Sequence, residues 1–534
     1  MAMSRLLIVF ILLFVAGCSE QQQYIENGLV YCSEGNPETF NPQLTVSGTA
    51  IDATSKQLYN RLIQIDPQSG ELSPELAVAW NISSDGLRYR FSLRQQVQFH
   101  HTDYFSPTRA FNADDVLFSF NRWLLRSHPF YQVGGGRYPF FQSINLDHTN
   151  VKLHKLNDYQ VEFELLEPRA NFLAEIATDF AVILSKEYGF QQLTAGTPEA
   201  LDSQPIGTGP FKLRDYVRNQ YIRYDRHEQY WGENAKLDQL VYDITQAAAS
   251  RVVKLIGGDC DVAALPQLSE LGHIQGYDDL ALDVMPGLNV AYWAFNTTRA
   301  PFDNPQVRQA LSLAVDKKRI LQAIYHNTAV VGKGMLPPIS WAYDPDLPER
   351  AYNPALATRL LENADVGALT IDIWAMPVAR IYNPDAIDTA KLIKQDLAKI
   401  GINATIHSYD WSRFLAQLES RDYDSVLIGW SADNLDPDNF FSPLLTCTAL
   451  EYGSNRSQWC NEEFDQLIVA ARDAQDPQQR QRLYSQLEYQ LQQHTPLVPI
   501  AHASRILGRK RHWHGRILHT SGGIDFTTVG REPL

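Results

Sequence analysis

Beyond residue 16 the 534-residue chain has no run of the roughly 18 apolar residues that a membrane-spanning helix requires. A hold on a membrane must therefore come from something other than a buried span. Positive charge is also short: 46 Lys and Arg stand against 61 Asp and Glu, a formal net charge of −15. That balance argues against nucleic acid as a partner, because phosphates require clustered cations. Enzyme signatures are missing as well. There is no G-x-S-x-G elbow, no G-x-x-x-x-G-K-[ST] phosphate loop and no H-E-x-x-H zinc helix. His227-Glu228 lacks the second histidine, and His512-Trp513-His514 sits among Arg509, Lys510 and Arg511, which repel a metal ion. Asp433, Asp436 and Asp438 lack the spacing of a calcium loop and enclose Pro437. A metal or other cofactor is therefore not expected. With so many acids some pair could always be nominated as general acid and base, so a secreted hydrolase finds no specific support. Internal repeats and low-complexity stretches are absent too.

What is there begins at the N-terminus. Arg5 precedes an apolar run from Leu6 to Ala16, too short for a mature membrane helix, and residues 1–17 read as a secretory signal. The run ends in Val15-Ala16-Gly17-Cys18, which resembles a bacterial lipobox with Cys18 as the acyl acceptor and first mature residue. Residues 18–23 are polar and form a tether. Signal removal takes away Arg5 and no acid, so the formal charge moves from −15 to −16. In a Gram-negative host, Ser19 after the cysteine resembles the signal for sorting to the outer membrane. Setting Cys18 aside, Cys32, Cys260, Cys447 and Cys460 make an even number, as suits an oxidising compartment. Three pairings are possible. Cys447 and Cys460 bracket a polar loop and are the easiest local pair, which leaves Cys32 with Cys260 and would place residues near 30 and near 260 in one domain.

The length suggests two or three domains. Strand and helix patterns are interspersed throughout. Leu87, Tyr89, Phe91 and Leu93 alternate as one face of a strand over 87–93, and Val161, Phe163 and Leu165 repeat the pattern. Asn112 can cap a helix carrying Val116, Phe120 and Trp123, with Asp114 and Asp115 in its first turn. Asn304-Pro305 opens a second helix with Val307, Leu311 and Ala314, and Asp476-Pro477 a third with Leu483, Leu487 and Leu491. The mixture indicates an α/β class.

Four pieces in order, Pro74-Glu75-Leu76-Ala77-Val78-Ala79-Trp80 with Ser84-Asp85-Gly86, then Phe91-Ser92-Leu93-Arg94, Val97-Gln98-Phe99-His100 and Phe111-Asn112-Ala113-Asp114-Asp115-Val116, resemble the signature of family 5 solute-binding proteins. Further matches run from Leu29-Val30-Tyr31-Cys32 through Pro205-Ile206-Gly207-Thr208-Gly209-Pro210 and Pro286-Gly287-Leu288-Asn289-Val290 to Asp436-Pro437-Asp438-Asn439-Phe440-Phe441. The resemblance covers nearly the whole mature chain and is strongest to the dipeptide-binding and Sap-type branches. It implies a bilobed periplasmic-binding-protein-like clamp of type II, cluster C, with an inserted extra domain. Lobe I would be 24–62, 203–285 and 502–534, with 63–202 inserted, and lobe II would be 286–501. It also implies a monomer of the cell envelope that takes short peptides and serves the permease of an ABC importer, with no enzymatic activity. Cysteines at the four positions in both branches agree with the Cys32–Cys260 and Cys447–Cys460 pairing.

A free dipeptide is an extended zwitterion whose charges lie about 5 to 7 Å apart, at roughly 3.3–3.6 Å per residue. By the resemblance Arg380 takes its carboxylate and Asp433 its ammonium, which suits a planar fork of donors and an ionised acceptor. Val46, Ser47, Gly48, Thr49, Ile381, Tyr382, Trp430, Ser431 and Ala432 would line the pocket. Two departures stand out: Val46 replaces a hydroxyl found in the dipeptide-binding branch, and Leu435 replaces a glycine. Several segments, among them Trp341-Ala342-Tyr343-Asp344, are closer to the Sap type. A longer cationic antimicrobial peptide, haem or a chelated metal is the competing class of ligand.

Overall fold

The computed structural model describes residues 27–66, 71–144, 146–409, 411–432, 434–452, 454–474, 476–519 and 523–531. The signal sequence, the Cys18 lipidation site, the tether and Asp433 lie outside the described residues.

Local sequence rules explain several elements directly. The Asn112 side chain accepts from Asp114 N at 2.9 Å, and the Asp115 carboxylate accepts from Asn112 N at 3.0 Å, a reciprocal box that starts the helix Ala113–Leu124. Val116, Phe120 and Trp123 form its buried face. That face covers a four-stranded antiparallel sheet in the order Ala77–Ile82, Arg88–Leu93, Gln160–Leu165 and Val151–Asn157. The Phe120 and Phe163 rings meet with centroids 4.9 Å apart. Tyr89, Phe91 and Leu93 point inward as expected, but the strand begins only at Arg88. Leu87 precedes it, its carbonyl accepting from Leu165 N at 2.8 Å.

Proline in the first turn and a side-chain cap open the helices Pro305–Ala314 and Pro477–His494, with Asn304 and Asp476 as caps. Val307, Leu311 and Ala314 are fully buried. In the later helix the buried residues are Tyr484, Leu487, Glu488 and Leu491, and Leu483 is only partly covered. A four-residue spacing outruns the 3.6-residue turn, so the stripe shifts toward Tyr484.

Among the described residues twelve strands join into one hydrogen-bonded ladder, and its centre is the 14-residue strand Leu497–Lys510. On one side this strand pairs antiparallel with Asn289–Phe295 and Ala329–Val331. On the other it pairs with Val262–Ala264 and Leu280–Pro286. Beyond Asn289–Phe295 the ladder runs through Ser425–Ser431 and Thr370–Ala375 to Asn403–His407. Beyond Val262–Ala264 it runs through the parallel strands Gly28–Ser33 and Gln239–Ile244 to Tyr221–Arg226 and Phe211–Val217. Two large cores result. One gathers residues from Leu29 to Ala264 and from Leu507 to Val529, the four-stranded sheet included; the other runs from Leu288 to Ala503. Leu435 packs against both. This two-lobed α/β architecture agrees with the clamp expected from the sequence.

The disulfides are Cys32–Cys260 and Cys447–Cys460, with Cα atoms 5.9 and 4.6 Å apart. The first joins neighbouring strands, since Tyr31 pairs with Val262, so residues near 30 and 260 do share a domain. Gly209 shows why the Pro205–Pro210 segment is glycine-rich. Its amide donates to Leu58 O at 3.0 Å, and a Cβ there would strike the backbone of residues 57–59.

Candidate functional site

Lobe II presents Arg380 at the end of a loop leaving the strand Thr370–Ala375. Reciprocal backbone bonds between Arg380 and Asn383, both 3.0 Å, close the loop into a tight bridge. Arg380 is exposed, while Ile381 and Tyr382 are half-buried. Tyr325 Oη donates to the Tyr382 carbonyl at 2.7 Å, holding the segment to the lobe. Burial pushes the Tyr382 phenol up to about 12, with the Arg380 guanidinium opposing the rise. The Tyr382 ring lies against Gly429 on the strand Ser425–Ser431, where a Cβ would collide with that ring and with Val290 O. The Tyr382 ring can lie this close to the strand because residue 429 has no side chain.

Trp430 is half-buried, its Nε1 donating to Asn439 Oδ1 at 2.9 Å. Ser431 is exposed, and Ala432 N donates to Leu288 O at 2.8 Å. Past position 433 the chain is firmly held. Asn434 Oδ1 accepts from Asp436 N at 2.9 Å, and Arg480 Nη2 donates to both Asp436 carboxylate oxygens at 3.0 and 2.9 Å. Asp438 Oδ1 accepts from Ser442 Oγ at 2.5 Å.

Val46, Ser47, Gly48 and Thr49 stand on lobe I, where the helix Gly48–Leu58 begins. Val46 is 55 % exposed, and the cap residue Ser47 makes no side-chain capping bond. Thr49 Oγ1 donates to Glu34 Oε1 at 2.6 Å. One turn on, burial pushes the Asp52 carboxyl up to about 7 against the pull of Arg505, with Glu34 adding to the rise.

Between the segment 142–175 of the first core and the second core lies a cavity of about 470 Å³, within the usual range for ligand pockets. Arg169, Asn171 and Glu175 line it from one side. Trp430, Asn434, Asp438, Asp465 and Arg472 line it from the other. Apart from Trp430, none of these stood out in the sequence as a site residue. They come from segments some 260 positions apart and share no local pattern; the one available hint was the density of Asn and Asp over 434–439.

The sequence pattern of the bacterial extracellular solute-binding proteins, family 5 Middle, matches residues 71–452. The chain is 42 % identical over 505 residues to a dipeptide-binding protein of Escherichia coli (strain K12), covering 94 % of each. It is 38 % identical over 507 residues to the peptide transport periplasmic protein SapA of Salmonella typhimurium (strain LT2), covering 95 % of this chain and 92 % of that one. The crystal structure of a dipeptide-binding protein from Pseudoalteromonas sp. SM9913 in complex with Met-Leu superposes with a TM-score of 0.85 at 44 % identity, over 95 % of this chain and 100 % of the other.

Proposed function

The chain belongs to the bacterial extracellular solute-binding proteins of family 5, and on that premise we propose that it captures dipeptides and other short peptides between its lobes and delivers them to the permease of an ABC importer. The observation that carries this reading is the whole-length likeness to a protein whose structure holds Met-Leu. Arg380 offers an exposed guanidinium fork to the peptide carboxylate, and Asp433 receives the ammonium. Tyr382 and Trp430 supply flat apolar surface beside the ligand, with Ile381, Ser431 and Ala432 completing that wall. Val46, Ser47, Gly48 and Thr49 close on it from lobe I. The ends of the ligand are read and its side chains are met loosely, which gives broad specificity. Lobe closure excludes water and strengthens both ionic contacts.

The family is one of substrate carriers, and we assign this chain no catalytic step. The pieces 24–62, 203–285 and 502–534 act as lobe I, 63–202 as its insert and 286–501 as lobe II. The mature protein works as a monomer in the cell envelope, tethered by a lipid on Cys18 after removal of residues 1–17, with the outer membrane as its site in a Gram-negative host.

The test is calorimetric titration of protein lacking residues 1–18, stripped of ligand by unfolding and refolding, with alanyl-alanine, beside Arg380→Ala. Losing one partner of a desolvated ion pair costs about 2–5 kcal/mol, a drop of roughly 30- to several-thousand-fold in affinity. Micromolar or tighter binding that collapses in the variant supports the reading. No binding by either protein overturns it.

A further inference from the structure

Tyr325 is fully buried, yet its phenol is spent on the loop that carries Arg380. The residue ends the helix Lys317–Ile324. Beyond it His326 and Asn327 turn the chain back through left-handed conformations, with φ of 47° and 61°. Thr328 thereby returns to Tyr325 and donates twice to its carbonyl, from N at 2.8 Å and from Oγ1 at 2.6 Å. The Thr328 carbonyl in turn accepts from Ser504 N at 3.1 Å, on the strand Leu497–Lys510. Tyr325 is thus tied to the central strand of the ladder, and from there its phenol donates to Tyr382 O at 2.7 Å. Burial pushes the Tyr325 phenol up, so it stays a donor across the physiological pH range.

The loop is pinned at two more places. Asn383, the backbone partner of Arg380, is buried, and its Oδ1 accepts from Asp385 N at 3.2 Å and from Thr389 Oγ1 at 3.3 Å, which ties the far side of the bridge to the helix Ala386–Ala398. The Tyr382 ring rests on Gly429, and its Oη donates to Met376 Sδ at 3.5 Å. The Arg380 guanidinium lies within hydrogen-bond reach of the same phenol. An exposed arginine ordinarily loses much rotamer freedom when it grips a ligand, whereas one already held has given up that freedom beforehand. Resting on the reading above, in which Arg380 takes the peptide carboxylate, we propose that Tyr325 and the phenol of Tyr382 are positioning residues for that carboxylate. Tyr325 fixes the backbone of the loop, and the Tyr382 phenol aims the guanidinium. Selectivity for a free C-terminus over a capped one therefore depends on Tyr325, a side chain with no surface from which to touch the peptide.

The test compares alanyl-alanine, titrated calorimetrically, with alanyl-alaninamide, titrated by displacement, because the amide keeps the peptide's shape and drops its carboxylate. The wild-type protein should prefer the free acid by about 30-fold or more. Tyr325→Phe keeps the buried ring and loses the donor, and should shrink that ratio about fivefold or more; Tyr382→Phe should shrink it about threefold or more. Loosening of the lobe without a positioning role would weaken both ligands equally and leave the ratio where it was. An unchanged ratio in folded Tyr325→Phe therefore overturns the proposal. Urea unfolding establishes that each variant is folded; should Tyr325→Phe not fold, the half-buried Tyr382 decides, and an unchanged ratio in Tyr382→Phe overturns it. Equal wild-type affinity for acid and amide overturns the role of Arg380 and the positioning with it, while leaving a peptide carrier. Failure of the wild-type protein to bind either ligand overturns the peptide-carrier reading as well.

Discussion

Asp179 and Glu175 stand four residues apart, are both buried, and titrate in opposite directions. Burial acts first on each and disfavours the ionised form. At Asp179 it is overruled. Lys56 Nζ and Arg61 Nη1 lie 3.2 Å from Oδ1, Ser55 Oγ donates at 2.9 Å, and the carboxyl is held below its ordinary value. Arg61 also bonds both oxygens of Glu75, at 3.0 and 3.1 Å. At Glu175 a single guanidinium grips one oxygen, the other has no partner, and burial prevails. Depth therefore does not decide the state of a buried acid in this molecule; the number of donors around it does. The first network binds the segment around Asp179 to the helix Gly48–Leu58, and the second borders a cavity.

The contrast can be broken most severely at Arg61. Arg61→Met takes the guanidinium from both Glu75 and Asp179, leaving Asp179 with Lys56 and Ser55 and Glu75 with Asn60, and should cost about 3–5 kcal/mol in urea unfolding; a loss below about 1 kcal/mol would mean that the network contributes little. A smaller effect is expected for Asp179→Asn, about 1.5–3 kcal/mol at pH 7. Because Asp179 has a lowered pKa, its contribution is present above the ordinary 3.8 and fades as pH falls through the folded value. The gap between variant and wild type should close in acid, and a pH-independent gap would contradict the ionised assignment. Smallest is Glu175→Gln, whose informative feature is slope. A raised carboxyl favours the fold below its ordinary 4.5 and loses that contribution as pH rises through the folded value. Unfolding across a pH series should show the variant gaining on wild type as pH rises above 4.5; a parallel pair of curves would remove the distinction between the two acids.

Elements whose causes are local were legible in the sequence. The caps at Asn112, Asn304 and Asp476 depend on side chains within three residues of the helix start, and alternation at Tyr89, Phe91 and Leu93 depends only on the pleat. Register and strand order were not legible, because the partners of Leu497–Lys510 come from four stretches between 262 and 331. The site divides in the same way. Arg380, Tyr382 and Trp430 sit in short recognisable segments, whereas the close approach of the Tyr382 ring to Gly429 appears only once the two segments meet. Asn171 and Glu175 carry no sequence signal, since an acceptor without a donor is a property of the assembled wall.

The strand Leu497–Lys510 also orders events in time. A chain emerging from its N-terminus can make the inserted four-stranded sheet early, because those strands are near neighbours in sequence. It cannot complete the ladder of either lobe until residues 497–510 arrive, since that strand carries bonds to both. Pairings of such long sequence separation form slowly. Both lobes are therefore completed late and by the same strand, and neither ladder is finished before the C-terminal part of the chain has been made.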